Sequence, residues 1–280
     1  MKRIVTIQDI SCVGKCSLTV ALPVISACGV EASVIPTAVL STHTAFKNFT
    51  FCDLTDEIEP IAKHLKEENI KFDAIYTGYL GSFKQLQLIS SFIDDFSTED
   101  NIVFIDPVMA DNGKLYPGFT QEFADSMASL CGKADVIVPN LTEACFMLHE
   151  EYIENGYSEE YIKSILVKLT KLGCKNAVLT GVSFEDGKLG VMVYNKEKDT
   201  FSSYFTEKVN ESFHGTGDVF SSACVGALMQ GLSLEGAIKT AANYTVEAIK
   251  ATMREENHNW YGVNFEEAIP YLLQELKNNK

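Results

Sequence analysis

The segment His214-Gly215-Thr216-Gly217-Asp218-Val219-Phe220 combines two glycines, a hydroxyl and one carboxylate at the start of a helical pattern that continues through Ser221-Ser222-Ala223-Cys224. Glycines let backbone N–H groups close on an anion, and a helix N-terminus adds partial positive charge. A carboxylate in that first turn is placed to accept a proton from an attacking hydroxyl, so the segment suits phosphoryl transfer. The same spacing also describes an Asp that merely favours a helix start. On the catalytic reading Asp218 is the base, and Gly215, Thr216 and Gly217 form the anion hole.

Further polar groups recur in the loops that follow successive apolar strands. They are Gln8-Asp9-Ile10-Ser11, Ser41-Thr42-His43-Thr44, Thr77-Gly78-Tyr79, Asp106-Pro107-Val108-Met109, Pro139-Asn140-Leu141-Thr142-Glu143 and Thr180-Gly181. Asp106, Asn140 and Glu143 offer hard oxygens for Mg²⁺, directly or through water. The Asn140-to-Glu143 spacing alone favours an N-cap Asn with a capping-box Glu. His43 and His214 flank these loops and suit structural hydrogen bonds. Trp260 and Tyr261 read as isolated packing residues.

These loops need a scaffold. Apolar strand-like runs alternate with helical patterns: strands at 4–8, 32–40, 73–77, 102–105, 136–138 and 177–179, and helices at 14–28, 53–69, 83–96, 120–131, 161–172, 218–230, 234–251 and 265–277. A hairpin is expected at 189–205 around 195–199. The pattern predicts an α/β fold with a central, mostly parallel sheet and helices on both faces. Ligands of such sheets bind beyond the carboxyl ends of the strands. No linker or repeat divides the chain, so 1–280 reads as one domain.

The composition excludes several classes. The chain has 280 residues, 46% of them hydrophobic, enough for a sizeable core. Lys and Arg number 23 against 38 Asp and Glu, a net charge of −15, which disfavours nucleic acid and anionic membranes as partners. A small anionic ligand is still compatible, because local N–H groups and a metal ion act at close range. No apolar stretch approaches membrane length, and no secretory pattern opens the chain. The eight cysteines are scattered without Cys-x-x-Cys pairs, as expected of reduced thiols in a cytoplasmic protein. No P-loop, dinucleotide fingerprint or Gly-x-Ser-x-Gly elbow is present.

Taken together, Ser41-Thr42-His43-Thr44, Thr77-Gly78-Tyr79-Leu80-Gly81, Asp106-Pro107-Val108-Met109, Pro139-Asn140-Leu141-Thr142-Glu143 and Gly215-Thr216-Gly217-Asp218 resemble, in this order, the motifs of the ribokinase-like superfamily. Within it the chain is similar to the vitamin B6 (pyridoxal) kinases. The resemblance implies ATP-dependent phosphorylation of the 5′-hydroxymethyl of a B6 vitamer, with Asp218 as base and Gly215–Gly217 as anion hole. Asp106, Asn140 and Glu143 would lie around Mg·ATP, with Asp106 and Glu143 meeting Mg²⁺. Thr180 and Thr216 would serve the nucleotide, and Thr44 and Tyr79 would line the vitamer pocket. The loop Asp111–Tyr116 would be a small lid, a monovalent cation such as K⁺ would assist, and the protein would be a homodimer. The chain departs from the family at Asp9, where these kinases usually carry serine. An anion there is expected to favour a cationic ligand, such as pyridoxamine or a protonated pyridine. The alternatives are a kinase of hydroxymethylpyrimidine or another small alcohol, and a vitamer-binding protein without catalysis.

Overall fold

A computed structural model describes residues 1–209, 211 and 213–279. In chain order its elements are β1 (Arg3–Ser11), α1 (Leu18–Ala27), β2 (Glu31–Leu40), β3 (Phe51–Asp53), α2 (Thr55–Glu67), β4 (Ala74–Thr77), α3 (Phe83–Phe96), β5 (Ile102–Ile105) and β6 (Ala110–Asp111). Then come β7 (Lys114–Leu115), α4 (Gln121–Cys131), β8 (Val136–Ile137), α5 (Leu141–Leu148), α6 (Glu159–Lys171), β9 (Asn176–Val182), β10 (Lys188–Asn195), β11 (Thr200–Glu207), α7 (Thr216–Met229), α8 (Leu234–Met253) and α9 (Phe265–Asn278). The architecture is the mostly parallel α/β fold expected from the sequence. Among the described residues, no helix is long and apolar enough to cross a membrane.

The chain forms two compact units: residues 1–78 with 209–280, and residues 79–208. In the first, β1 lies between β4 and β2, parallel to both, and β3 closes the edge antiparallel to β2. Ile4, Val5 and Ile7 of β1 are fully buried, each contributing roughly 1.5–3 kcal/mol of transfer free energy. The chain steps from β1 to β2 and then back across β1 to β4. Right-handed crossovers therefore place α1 and α2 on opposite faces of the sheet. The polar loops after β1 and β4 open where the strand order reverses, the usual place for a ligand. Helix α7 is buried nearly all round, from Val219 to Ala227. That burial gives its N-terminal turn a rigid base.

Between β1 and β2 the register slips: Gln8 faces Pro36, but Ile10 faces Val39. Pro36 has no N–H for the ladder, and two residues of β2 then oppose the single residue Asp9. The segment expected to be helical from Gly14 is instead an irregular loop up to Ser17. Gly14, Lys15 and Ser17 all have positive φ (149°, 49° and 48°), which excludes a right-handed helix there.

In the second unit β5, β8 and β9 run parallel, and β9, β10 and β11 form an antiparallel extension. The last pair is the hairpin expected around 195–199. The segment 111–116 is itself a smaller hairpin, β6–β7, with Asn112 and Gly113 at its tip, both left-handed (φ 50° and 74°). Asn-Gly is the pair such a two-residue turn prefers.

Candidate active site

The glycine turn of the first unit stands at the N-terminus of α7. Gly215 is the N-cap, left-handed at φ 77°, and Asp218 is the acidic residue of the first turn. The carbonyl of Gly215 receives Val219 N–H (3.0 Å), and the Thr216 hydroxyl donates to Phe213 O (3.2 Å). The opening N–H groups of a helix have no intrahelical acceptor, so this turn presents donors to an anion. Gly217 is exposed and Asp218 half-buried. A side chain on Gly215 would collide with the carbonyl oxygen of Lys15 as well as straining the backbone. Glycine is required here on both counts.

Burial raises the pKa of the Cys16 thiol, and the charges of Asp218 and then Asp9 raise it further. The two carboxylates thus act on one side chain of this unit. Asp9 is 4% exposed. Its Oδ1 accepts the hydroxyl of Ser17 (2.6 Å) and its Oδ2 that of Ser11 (3.0 Å). Burial pushes its carboxyl above the usual range, against the pull of those two hydrogen bonds. Ser17 is the N-cap of α1 at φ 48°, ψ −133°, yet its side chain caps no amide. A non-glycine residue so placed costs about 1–3 kcal/mol and persists only when its surroundings hold it.

Thr44 is exposed in the loop after β2, next to buried His43. Ala45 N–H donates to His43 Nδ1 (3.2 Å), which leaves Nε2–H to donate to Tyr261 O (3.1 Å). Burial and the neighbouring His214 lower the pKa of His43, with the Tyr261 bond opposing them. The His43 ring lies 4.9 Å from those of Phe46 and His214, and Phe46 lies 4.6 Å from Trp260. Trp260 and Tyr261 are therefore parts of one aromatic cluster that includes a site loop. Trp260 remains 55% exposed within it. The cluster joins residues distant in sequence, and no local spacing announces it.

In the second unit Asp106 (6% exposed) and Glu143 (3% exposed) are both buried. Asn140 is the N-cap of α5 and forms a capping box with Glu143. Glu143 N–H donates to Asn140 Oδ1 (2.9 Å) and Asn140 N–H to Glu143 Oε2 (2.8 Å). Glu143 Oε1 also accepts Met109 N–H (3.1 Å), and Asn140 Nδ2 donates to Ala110 O (2.8 Å). Asn140 and Glu143 thus brace the root of the β6–β7 hairpin. Burial, and then the charge of Asp106, push the carboxyl of Glu143 well up. Thr180 is bridged to Asn140, with its N–H bonded to Pro139 O (3.0 Å). Tyr79, half-buried, lies in the same unit with its ring 5.7 Å from Phe119.

A divalent cation fits the chemistry of this pair. The charge of Asp106 disfavours ionisation of buried Glu143, so a positive charge beside the pair is favourable. Among the described residues, no group of three or more His, Cys, Asp or Glu is arranged to hold a metal. The remaining ligands would then be water or phosphate oxygens, as Mg²⁺ commonly takes. Both oxygens of Glu143 already accept amide hydrogens.

The parallel α/β units and the glycine turn heading a buried helix define a ribokinase-like kinase. The family model described as phosphomethylpyrimidine kinase matches residues 20–262, and the chain belongs to that family. A solved structure of a putative phosphomethylpyrimidine kinase from Bacteroides thetaiotaomicron, an orthorhombic form with pyridoxal, is 40% identical. It has a TM-score of 0.92, and the match covers 97% of this chain and 95% of that one. The pyridoxal kinase of Lactobacillus plantarum is 27% identical with a TM-score of 0.90, covering 98% and 97% of the two chains. Among curated proteins, the pyridoxal kinase of Dictyostelium discoideum is 25% identical over 239 residues, 80% of this chain and 77% of that protein.

Proposed function

We propose that this kinase transfers the terminal phosphoryl group of ATP to the 5′-hydroxymethyl group of a vitamin B6 vitamer. The observation that carries this reading is the 40% identity, over nearly the whole chain, to a structure with pyridoxal. Asp218 accepts the hydroxyl proton. The amides of Gly215, Thr216 and Gly217 hold the transferred phosphoryl group. Thr44 and Tyr79 contact the vitamer, and Asn140, Thr180 and Thr216 serve the nucleotide. Asp106 and Glu143 would hold Mg²⁺, directly or through water, and the ion would neutralise phosphate charge when bound. The same family resemblance supplies the rest of the proposal: a monovalent cation such as K⁺, a lid at Asp111–Tyr116, and a cytoplasmic homodimer of one-domain chains.

The family description favours a second reading, phosphorylation of hydroxymethylpyrimidine. Coupled ADP release measured with pyridoxal, pyridoxine, pyridoxamine, hydroxymethylpyrimidine and simple sugars separates the two. Vitamer-stimulated release is expected. Release with the pyrimidine alone would move the substrate to the second reading. Vitamer binding without ADP release would make the protein a binder.

A further inference from the structure

Near the end of β1, beside the loop that leads to α1, stands a buried carboxylate to which the proposed phosphoryl transfer gives no step. Asp9 sits opposite the bulge after Pro36, 4% exposed, with both oxygens taken by the hydroxyls of Ser11 and Ser17. Ser17 spends its hydroxyl on Asp9 rather than on an amide of α1, and its backbone lies where glycine is at ease and serine is not. Two residues earlier, Lys15 is also left-handed. Its ammonium is bonded to Asn264 Oδ1 (3.0 Å) and Glu266 Oε2 (2.9 Å). Its carbonyl oxygen fills the space beside Gly215 that a side chain would need. The floor of the anion turn is therefore this loop, held in shape from Asp9 at one end and from Lys15 in the middle.

We propose that Asp9 is a positioning residue: through Ser17 it fixes the 11–17 loop in the form against which Gly215–Asp218 rests. The inference rests on the kinase reading and assigns Asp9 a role other than choosing a cationic vitamer. A residue that acts through the anion turn affects every acceptor alcohol alike. One that touches the pyridine ring discriminates among them.

The test compares Asp9→Ser, Asp9→Asn, Ser17→Gly and the Asp9→Ser/Ser17→Gly pair with the wild type. Each is assayed for ADP release with pyridoxal, pyridoxine and pyridoxamine, and for its thermal midpoint. Asp9→Ser is expected to lower kcat about 10- to 100-fold on all vitamers by a similar factor, with each KM within about threefold. Asp9→Asn keeps one acceptor oxygen and should fall between. Ser17→Gly removes the link but also the strain, and should lose less kcat than Asp9→Ser, because glycine needs no help at that φ. The pair should regain most of the kcat that Asp9→Ser loses.

A vitamer preference shifted by more than about tenfold, or a pair no better than Asp9→Ser, overturns the inference. If Asp9→Ser fails to fold, rescue of folding by Ser17→Gly supports it and failure of rescue refutes it. Should the wild type release no ADP with any vitamer, the kinase reading falls. The thermal midpoint of the pair against that of Asp9→Ser then still decides the link between Asp9 and Ser17.

Discussion

Gly113 N–H is bonded to Thr142 Oγ1 at 3.0 Å, which fastens the tip of the β6–β7 hairpin to the first turn of α5. The close approach depends on glycine, since a Cβ there would lie 2.9 Å from Tyr152 Cδ1. Asn140 and Glu143 hold the root of the same hairpin at Ala110 and Met109. One short stretch, Asn140–Glu143, thus braces the hairpin at both ends.

Thr142→Val removes the acceptor at the tip, together with the hydroxyl bonded to Tyr152, and nothing at the root. The hairpin should open more readily by about 1 kcal/mol, the net worth of such a hydrogen bond. Amide exchange at Asn112 and Gly113, or cleavage by a protease within 111–116, should then speed up about fivefold at an unchanged thermal midpoint. Unchanged exchange would show that Tyr152 and the root hold the hairpin alone.

Gly215 and Gly217 should respond in opposite ways to alanine. At Gly215 a methyl meets the Lys15 carbonyl and a left-handed backbone. Gly215→Ala should lose roughly 1–3 kcal/mol of stability, seen as a lower thermal midpoint. At Gly217 a Cβ meets nothing within 4 Å, and alanine is the better helix former by up to about 1 kcal/mol. Gly217→Ala should hold or raise the midpoint. It should still slow phosphoryl transfer, because the methyl occupies the open side of the proposed anion seat. An active Gly217→Ala protein would argue against that seat.

Most of this architecture is written in the chain as periodicity. The helix expected at 83–96 appears with those bounds, and both strands of the 189–205 hairpin are present, each longer than expected. The bracing of the site is written differently. The strands β6 and β7 have two residues each, too short for alternation to register, so the segment was expected only as a loop. The 11–17 loop was expected to be helical from Gly14 because its conformation is set by Asp9 below it and by Gly215, far along the sequence. Trp260 looked isolated for the same reason, its neighbours Phe46 and His43 being supplied by the loop after β2. Residue types suggested the chemistry, and long-range contacts set the conformation of the loops that carry those residues.

Asp218→Asn tests the proposed base directly. The amide keeps the size of the side chain and the first turn of α7, but cannot take a proton at neutral pH. Turnover with a vitamer should fall about 100- to 10,000-fold, with KM for ATP little changed. A folded Asp218→Asn protein that turns over near the wild-type rate would remove Asp218 from the mechanism.

Glu143 supplies a pH-dependent prediction whose sign follows from its surroundings. Burial and Asp106 raise its folded pKa well above 4.5. Between that value and the raised one, the native protein keeps a proton that the unfolded chain has released. Stability contributed by this group is therefore lost as pH rises through the window. Glu143→Gln carries no charge to titrate, so its thermal midpoint should fall less steeply than the wild type's from about pH 5 upward. At the acid end, where Glu143 is itself neutral and has one carbonyl oxygen as glutamine does, the two proteins should differ by no more than about 1 kcal/mol. If Mg²⁺ engages the Asp106–Glu143 pair, it should raise the wild-type midpoint more at pH 8 than at pH 5, and Glu143→Gln should lose that difference. Comparing slopes between the two proteins isolates this group from the many other carboxylates of a chain with net charge −15. Identical slopes in the two proteins, with and without Mg²⁺, would show that the buried pair carries no titration in this range.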